Sequence, residues 1–151
     1  MTDAPDRNPV TLLEEIFPND TNPYGTAFGG KIVALMDRAA GLAASKYAHQ
    51  HFVTASIDAI QFKLPVRQGE IAEVVARVVY TSAHTCGIAV QVFAVDKIAW
   101  QRKPCCQGIF FMVATSPDGA SQPVPGFSPG NQEEQWLWRQ AAEARRKFQD
   151  S

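Results

Sequence analysis

Long apolar runs are missing from this 151-residue chain, and no stretch is long enough to span a bilayer. Its start lacks the basic-then-apolar pattern of a secretory leader, and neither end carries a lipidation motif. The expected location is therefore the cytoplasm, with no membrane partner. Net charge is also missing: the balance is −1, which gives no electrostatic case for nucleic acid. Cysteine is scarce, with Cys86, Cys105 and Cys106 an odd set containing an adjacent pair. That is a poor disulfide framework and fits a reducing compartment with small buried thiols. No CxxC or HxxxH occurs, and His49, His51 and His84 lie at no ligand spacing from a cysteine, so no metal site is expected. No serine sits in a GxSxG elbow.

What is present organises into one domain with a sizeable core. Residues 1–9 read as a flexible start, and Val10 to Phe17 is a short apolar stretch suited to a first strand. Pro18 to Tyr24, dense in Pro, Asn and Asp, marks a loop. From Phe28 to about Tyr47 the pattern is helical, with Ile32, Leu35, Met36, Ala39, Leu42 and Ala43 at three- and four-residue spacing. Val53–Phe62, Ile71–Thr81, Gly87–Val95 and Gly108–Thr115 read as strands rich in Val, Ile and Phe. Ser121–Gly130 is irregular, and Gln132–Phe148 forms a second, highly charged surface helix. The gaps between the strands are too short for crossover helices. The fold class is therefore α+β, an antiparallel sheet wrapped around one long helix. The main domain covers 10–126, followed by a linker and helix over 127–151.

The stretch with most chemistry is Asn22-Pro-Tyr-Gly-Thr-Ala-Phe-Gly-Gly30, followed seven residues later by Asp37. Asp37 lies on a helix face of small residues: Gly30, Val33, Ala34, Ala40, Gly41 and Ala44. Its neighbours at three and four residues include no cation. A buried carboxylate without a partner costs several kcal/mol. Asp37 thus either meets water or a backbone N–H from another segment, or serves as a working acid. Phe28-Gly29-Gly30 stands at the helix start, where free N–H groups favour a polarised carbonyl oxygen, although glycines there also serve packing. Asn22, taken alone, reads as an asparagine shaping the loop before Pro23. Asp58 falls with Thr54 and Ser56 on one face of an alternating strand, as a solvated face would. His84 sits in a turn, with Cys86 two residues on, but no third group is placed to orient such a pair.

The segment Asn22-x-x-Gly25-x-x-Phe28-Gly29-Gly30 through Leu35-Met36-Asp37 resembles the signature of hot-dog-fold acyl-CoA thioesterases, in particular the cytosolic acyl-CoA hydrolase branch. The resemblance continues through Phe62-Lys-Leu-Pro65-Val66, Gly69-Glu70, Ala76-Arg77-Val78, Gly108-Ile-Phe-Phe-Met-Val-Ala114 and Pro123-Val-Pro125. It implies a sheet of five or six antiparallel strands around the central helix. It also implies pairing into a dimer with active sites at the interface, and commonly a hexamer. By resemblance, Asp37 is the catalytic aspartate, acting as general base or nucleophile, and Asn22 is the catalytic asparagine, contributed by the other subunit. Phe28, Gly29 and Gly30 would bind the thioester carbonyl. His84 and Thr85 would contact coenzyme A, with His84 a departure from the Thr-Ser pair of many relatives. The basic Arg102 and Lys103 are a second expected phosphate contact, a solvated loop being the alternative. The coenzyme A thioester is substrate, and no cofactor is expected. Chain-length preference is expected to depend on packing near Ala34, Phe62 and Tyr80. Two rivals share the fold: an enoyl-thioester hydratase, which needs a histidine near the helix acid, and a non-catalytic acyl-CoA-binding module.

Overall fold

The computed structural model describes residues 5–150. The elements in chain order are β1 (Val10–Glu15), a 3-10 turn (Pro18–Asp20), α1 (Gly29–Ala48), β2 (His51–Phe62), β3 (Ile71–Thr81), β4 (Thr85–Val95), β5 (Arg102–Thr115) and α2 (Gln132–Asp150). The five strands form one antiparallel sheet in the order β1-β3-β4-β5-β2. α1 packs in its concave face, chiefly against β3 and β4. This is the hot-dog layout.

Alternation explains the packing. In β3, Ala72, Val74, Ala76 and Val78 are buried toward α1, while the residues between them face the other side. From β4 and β5, Cys86, Ile88, Val90, Val92, Phe110 and Met112 join the same cluster. On α1, Leu35, Met36, Ala39, Ala40, Ala43, Ala44 and Tyr47 complete it. Leu42, assigned by spacing to the apolar face, is instead 47% exposed. α1 ends at His49, whose left-handed backbone (φ 57°, ψ 45°) lets its N–H reach Ser45 O at 2.7 Å.

β2 is an edge strand, paired only with β5. Its register slips twice, between Thr54 and Ser56 and between Asp58 and Gln61. Each slip is a bulge that changes which side chains face the helix. The second places Ala59 at φ 54° and turns Ile60 over Gly108, where a Cβ would lie 2.8 Å from Ile60 Cγ1.

α2 covers part of the outer sheet face. Ala141 and Ala144 pack with Val79 and Phe111, and the Trp138 ring lies 4.7 Å from Tyr80. Tyr80 therefore belongs to this outer layer, on the opposite sheet face from α1. Residues near the start of the chain are tied to both helices: Arg7 pairs with Glu134 at 2.9 Å, and Lys46 approaches Asp6 at 3.6 Å. No helix among the described residues is long and apolar enough to cross a membrane.

All three cysteines are free and buried. Burial pushes the Cys86 thiol from an ordinary 9.0 up to about 12 and Cys106 up to about 11, and raises Cys105 as well. Such thiols are protonated at neutral pH, which removes Cys86 as a nucleophile.

Two outcomes are expected. Replacing His49 with glycine relieves a left-handed backbone costing about 1–2 kcal/mol. Glycine's added freedom in the unfolded chain returns about 0.4–1 kcal/mol, so denaturant unfolding should show a net gain of about 0.5–1 kcal/mol. The thiols set a pH dependence. Their folded pKa values lie above the unfolded value of 9.0, so their stabilisation is complete below that pH. It is lost as pH rises from there toward the folded values. Thermal midpoints should fall above about pH 9, and less steeply in Cys86→Ala than in wild type.

Candidate active site

The loop before α1 is built by short-range hydrogen bonds. Asp20 Oδ2 accepts the Phe17 N–H at 3.0 Å, and this bond, with Lys31 nearby, holds its carboxyl below the usual range. Lys31 lies 2.6 Å from Glu14 and 3.4 Å from Asp20; the Glu14 bond raises its pKa, tying the first turn of α1 to β1. Asn22 Oδ1 accepts the Tyr24 and Thr26 N–H groups at 2.9 and 3.2 Å, and Asn22 Nδ2 donates to Thr26 Oγ1 at 2.9 Å. Gly25, at φ 79°, completes the turn. Asn22 thus shapes its own loop, and none of these bonds reaches Asp37.

The loop delivers two free amides to the start of α1. Ala27 donates its N–H to Val66 O at 2.8 Å, and Phe28 donates to Asp20 O at 3.1 Å. The Gly29 and Gly30 N–H groups have no acceptor among the described residues, as the opening amides of a helix do not. Of the three residues expected to bind a carbonyl, Phe28 has its amide already committed, and the two glycines supply the donors.

Asp37 lies two turns along α1, half-buried. Thr54 Oγ1 on β2 donates to Asp37 Oδ1 at 2.5 Å, a charge-assisted hydrogen bond. Strict alternation puts Thr54 on one face with Ser56 and Asp58; the bulge at Ala55 separates them. Thr54 lies opposite Met112, on the α1 side, whereas Ser56 lies opposite Phe111, on the α2 side. Thr54 is the residue that the sequence pattern hid, because a bulge leaves no periodic signal. Asp37 has no cation partner among the described residues. It therefore presents an oriented carboxylate whose second oxygen is open to a proton donor.

A cavity of about 270 Å³ opens at the start of α1, where Gly29 and Ile32 face the segment from Phe62 through Lys63 to Val66, with Cys105 and Cys106. Its walls are apolar apart from Lys63, and it abuts the free Gly29 amide, which suits an acyl or thioester group. Phe62 is there as expected. A larger cavity of about 440 Å³, between α2 and the outer sheet face, contains neither Asp37 nor the glycine amides.

The four residues expected at coenzyme A do not converge within one chain. His84 and Thr85 stand at one end of β4 and Arg102 and Lys103 pair with its other end. At ~3.3 Å per residue the two sets are about 30 Å apart. Arg102 is also engaged, with Glu73 at 2.6 Å and over the Phe93 ring at 3.9 Å. His49 and His51, needed by a hydratase, lie at the C-terminal end of α1, away from Gly29. Among the described residues no group of three His, Cys, Asp or Glu could hold a metal.

Residues 24–99 match the sequence profile of the thioesterase superfamily. Human cytosolic acyl coenzyme A thioester hydrolase is 32% identical over 126 residues, 82% of this chain; the chain spans only 33% of that protein's length. An acyl-CoA thioester hydrolase of Salmonella typhimurium is 33% identical over 120 residues, 77% of this chain and 90% of its own. A solved apo-hexameric acyl-CoA thioesterase superposes with a TM-score of 0.88 at 31% identity, covering 95% of this chain and 92% of that one. An acyl-CoA hydrolase from Staphylococcus aureus, in complex with butyryl coenzyme A, coenzyme A and coenzyme A disulfide, gives 0.84 at 30% identity over 94% and 88%. Variants of that hydrolase with an asparagine, an aspartate or a threonine changed to alanine have been solved as well. Those three positions are 15 and 17 residues apart, the spacing of Asn22, Asp37 and Thr54 here. With profile, identities and sheet-and-helix layout in agreement, the chain belongs to the thioesterase superfamily and has its hot-dog fold.

Proposed function

We propose that this protein hydrolyses the thioester of acyl-CoA to a free carboxylic acid and coenzyme A, with the Asp37 carboxylate as general base. The observation that carries the reading is the Thr54–Asp37 hydrogen bond beside two unpaired helix-start amides. The thioester carbonyl oxygen lies against the Gly29 and Gly30 N–H groups. Asp37 takes a proton from water, and the water oxygen adds to the carbonyl carbon. The glycine amides and the start of α1 stabilise the resulting oxyanion. Collapse of that intermediate breaks the C–S bond, and the coenzyme A thiolate leaves and is protonated. Thr54 orients the carboxylate, so the open oxygen faces the water. The Asn-Asp-Thr spacing shared with the Staphylococcus aureus hydrolase supports these assignments. A non-catalytic binding module has no use for a carboxylate oriented beside the thioester.

Self-association is part of the reading. β2 is a twelve-residue edge strand with Val53, Ile57 and Phe62 each at least 40% exposed. An unpaired strand of that length and apolarity is a template for a second strand. Its pairing with a second copy would close the open side of Asp37 and bring Asn22 of one protomer to Asp37 of its partner. Hexameric assembly is proposed on the same footing, from the hexameric relative.

Two measurements test the site. Steady-state hydrolysis of acyl-CoAs from acetyl to palmitoyl, followed by loss of thioester absorbance, should give turnover in wild type. Asp37→Asn should lower kcat by about a hundredfold or more, and Thr54→Ala by about tenfold, with both variants folded. Turnover undiminished in Asp37→Asn would refute the assignment. The shared site is tested by mixing two inactive variants, Asn22→Ala and Asp37→Asn, under subunit exchange. Each mixed dimer carries one intact site, so activity should recover to about a quarter of wild type at equal mixing. No recovery after verified exchange would place both residues in one protomer's site.

A further inference from the structure

Arg145 on α2 stands apart from most arginines of this chain. Arg7, Arg38, Arg77, Arg102 and Arg146 each face a carboxylate. Arg145 has no carboxylate partner among the described residues. Its Nη2 donates a long hydrogen bond, 3.5 Å, to Thr85 Oγ1, and its Nε is buried with no hydrogen-bond partner. One face of the guanidinium lies 5.3 Å from the Phe148 ring. A guanidinium carries five N–H donors, and a buried one left without an acceptor costs free energy that an oxyanion would recover.

The position matters as much as the deficit. Ala141 and Ala144 dock α2 on Val79 and Phe111, which sets the next residue, Arg145, against the start of β4. There it adjoins the exposed His84 in the β3–β4 turn. Thr85 is buried, and its hydroxyl oxygen is the acceptor of that long bond. Arg102, in contrast, is already held by Glu73 and Phe93.

We propose that Arg145 is a phosphate-binding residue of the acyl-CoA site, carried by α2 to the His84–Thr85 turn and positioned by Thr85. It would grip the anionic nucleotide end of coenzyme A while the chemistry proceeds at Asp37. The proposal rests on the hydrolase reading above and gives α2 a role in substrate recognition beyond covering the sheet.

The test compares wild type, Arg145→Gln and Arg145→Lys on three substrates with one acyl group: acyl-CoA, acyl-3′-dephospho-CoA and acyl-pantetheine. Arg145→Gln should raise KM for acyl-CoA about tenfold with kcat held, and leave acyl-pantetheine, which has no phosphate, unaffected. The lysine variant should restore part of the affinity. Acyl-3′-dephospho-CoA tells which phosphate is held: insensitivity to the variant assigns the 3′-phosphate, retained sensitivity the diphosphate. Equal changes on acyl-CoA and acyl-pantetheine would reduce Arg145 to helix packing, and no change on any substrate would also overturn the proposal. If the glutamine variant fails to fold, the lysine variant and the salt dependence of wild-type KM decide. Wild-type KM should rise with salt for acyl-CoA and stay level for acyl-pantetheine. Wild type inactive on every thioester would sink the hydrolase reading and this proposal with it. An active wild type insensitive at Arg145 would sink only the latter.

Discussion

Everything else in this molecule follows from how closely α1 can lie in the sheet. Ala39, Ala40, Ala43 and Ala44 are buried against β3 and β4, and their small side chains let helix and strand backbones approach. A sheet that wraps a helix at that range has to curl, and its ladders slip twice along β2 and once each between β3 and β4 and between β4 and β5. Larger residues at the alanine positions would push the helix out and dismantle the geometry at both ends of it.

The site is a by-product of that wrapping. Residues of α1 that meet the centre of the sheet are apolar, but the helix is wider than the surface the sheet covers. Gly30, Ala34 and Asp37 are left toward the open side, next to the edge strand. A carboxylate there escapes full desolvation, and one hydroxyl from β2 suffices to orient it. The same openness leaves β2 with apolar side chains facing solvent in a single chain. The proposed catalytic carboxylate and the proposed association surface are thus two aspects of one uncovered edge.

α2 adds a second layer with a different logic. It contributes two alanines, Leu137 and the ring of Trp138 to the outer face, and it holds its polar side chains over strands that bear their own polar residues. Charged composition marks it as a surface helix and leaves open whether it joins an assembly or covers the sheet. The docking places Arg145, without a carboxylate partner among the described residues, beside the His84–Thr85 turn. Charge content says nothing about which cation is left without a partner; only the neighbours do.

The helix, the four long strands and the antiparallel class were legible in the sequence because each rests on local periodicity or on gaps too short for crossovers. Ile71–Thr81 coincides with β3, and the Gly29–Asp37 block is where the free amides and the oriented acid lie. Three things were decided only by tertiary structure. Thr54 joined Asp37 because a bulge reversed the face of β2, and bulges add a residue without altering composition. Tyr80 went to the outer layer and Leu42 to solvent, since spacing identifies a face but not its neighbour. The basic pair Arg102–Lys103 and the turn at His84–Thr85 were driven to opposite ends of β4, a separation that a one-dimensional list of cations does not contain. Local physics determines which elements form; the long-range ladder determines which of their side chains meet.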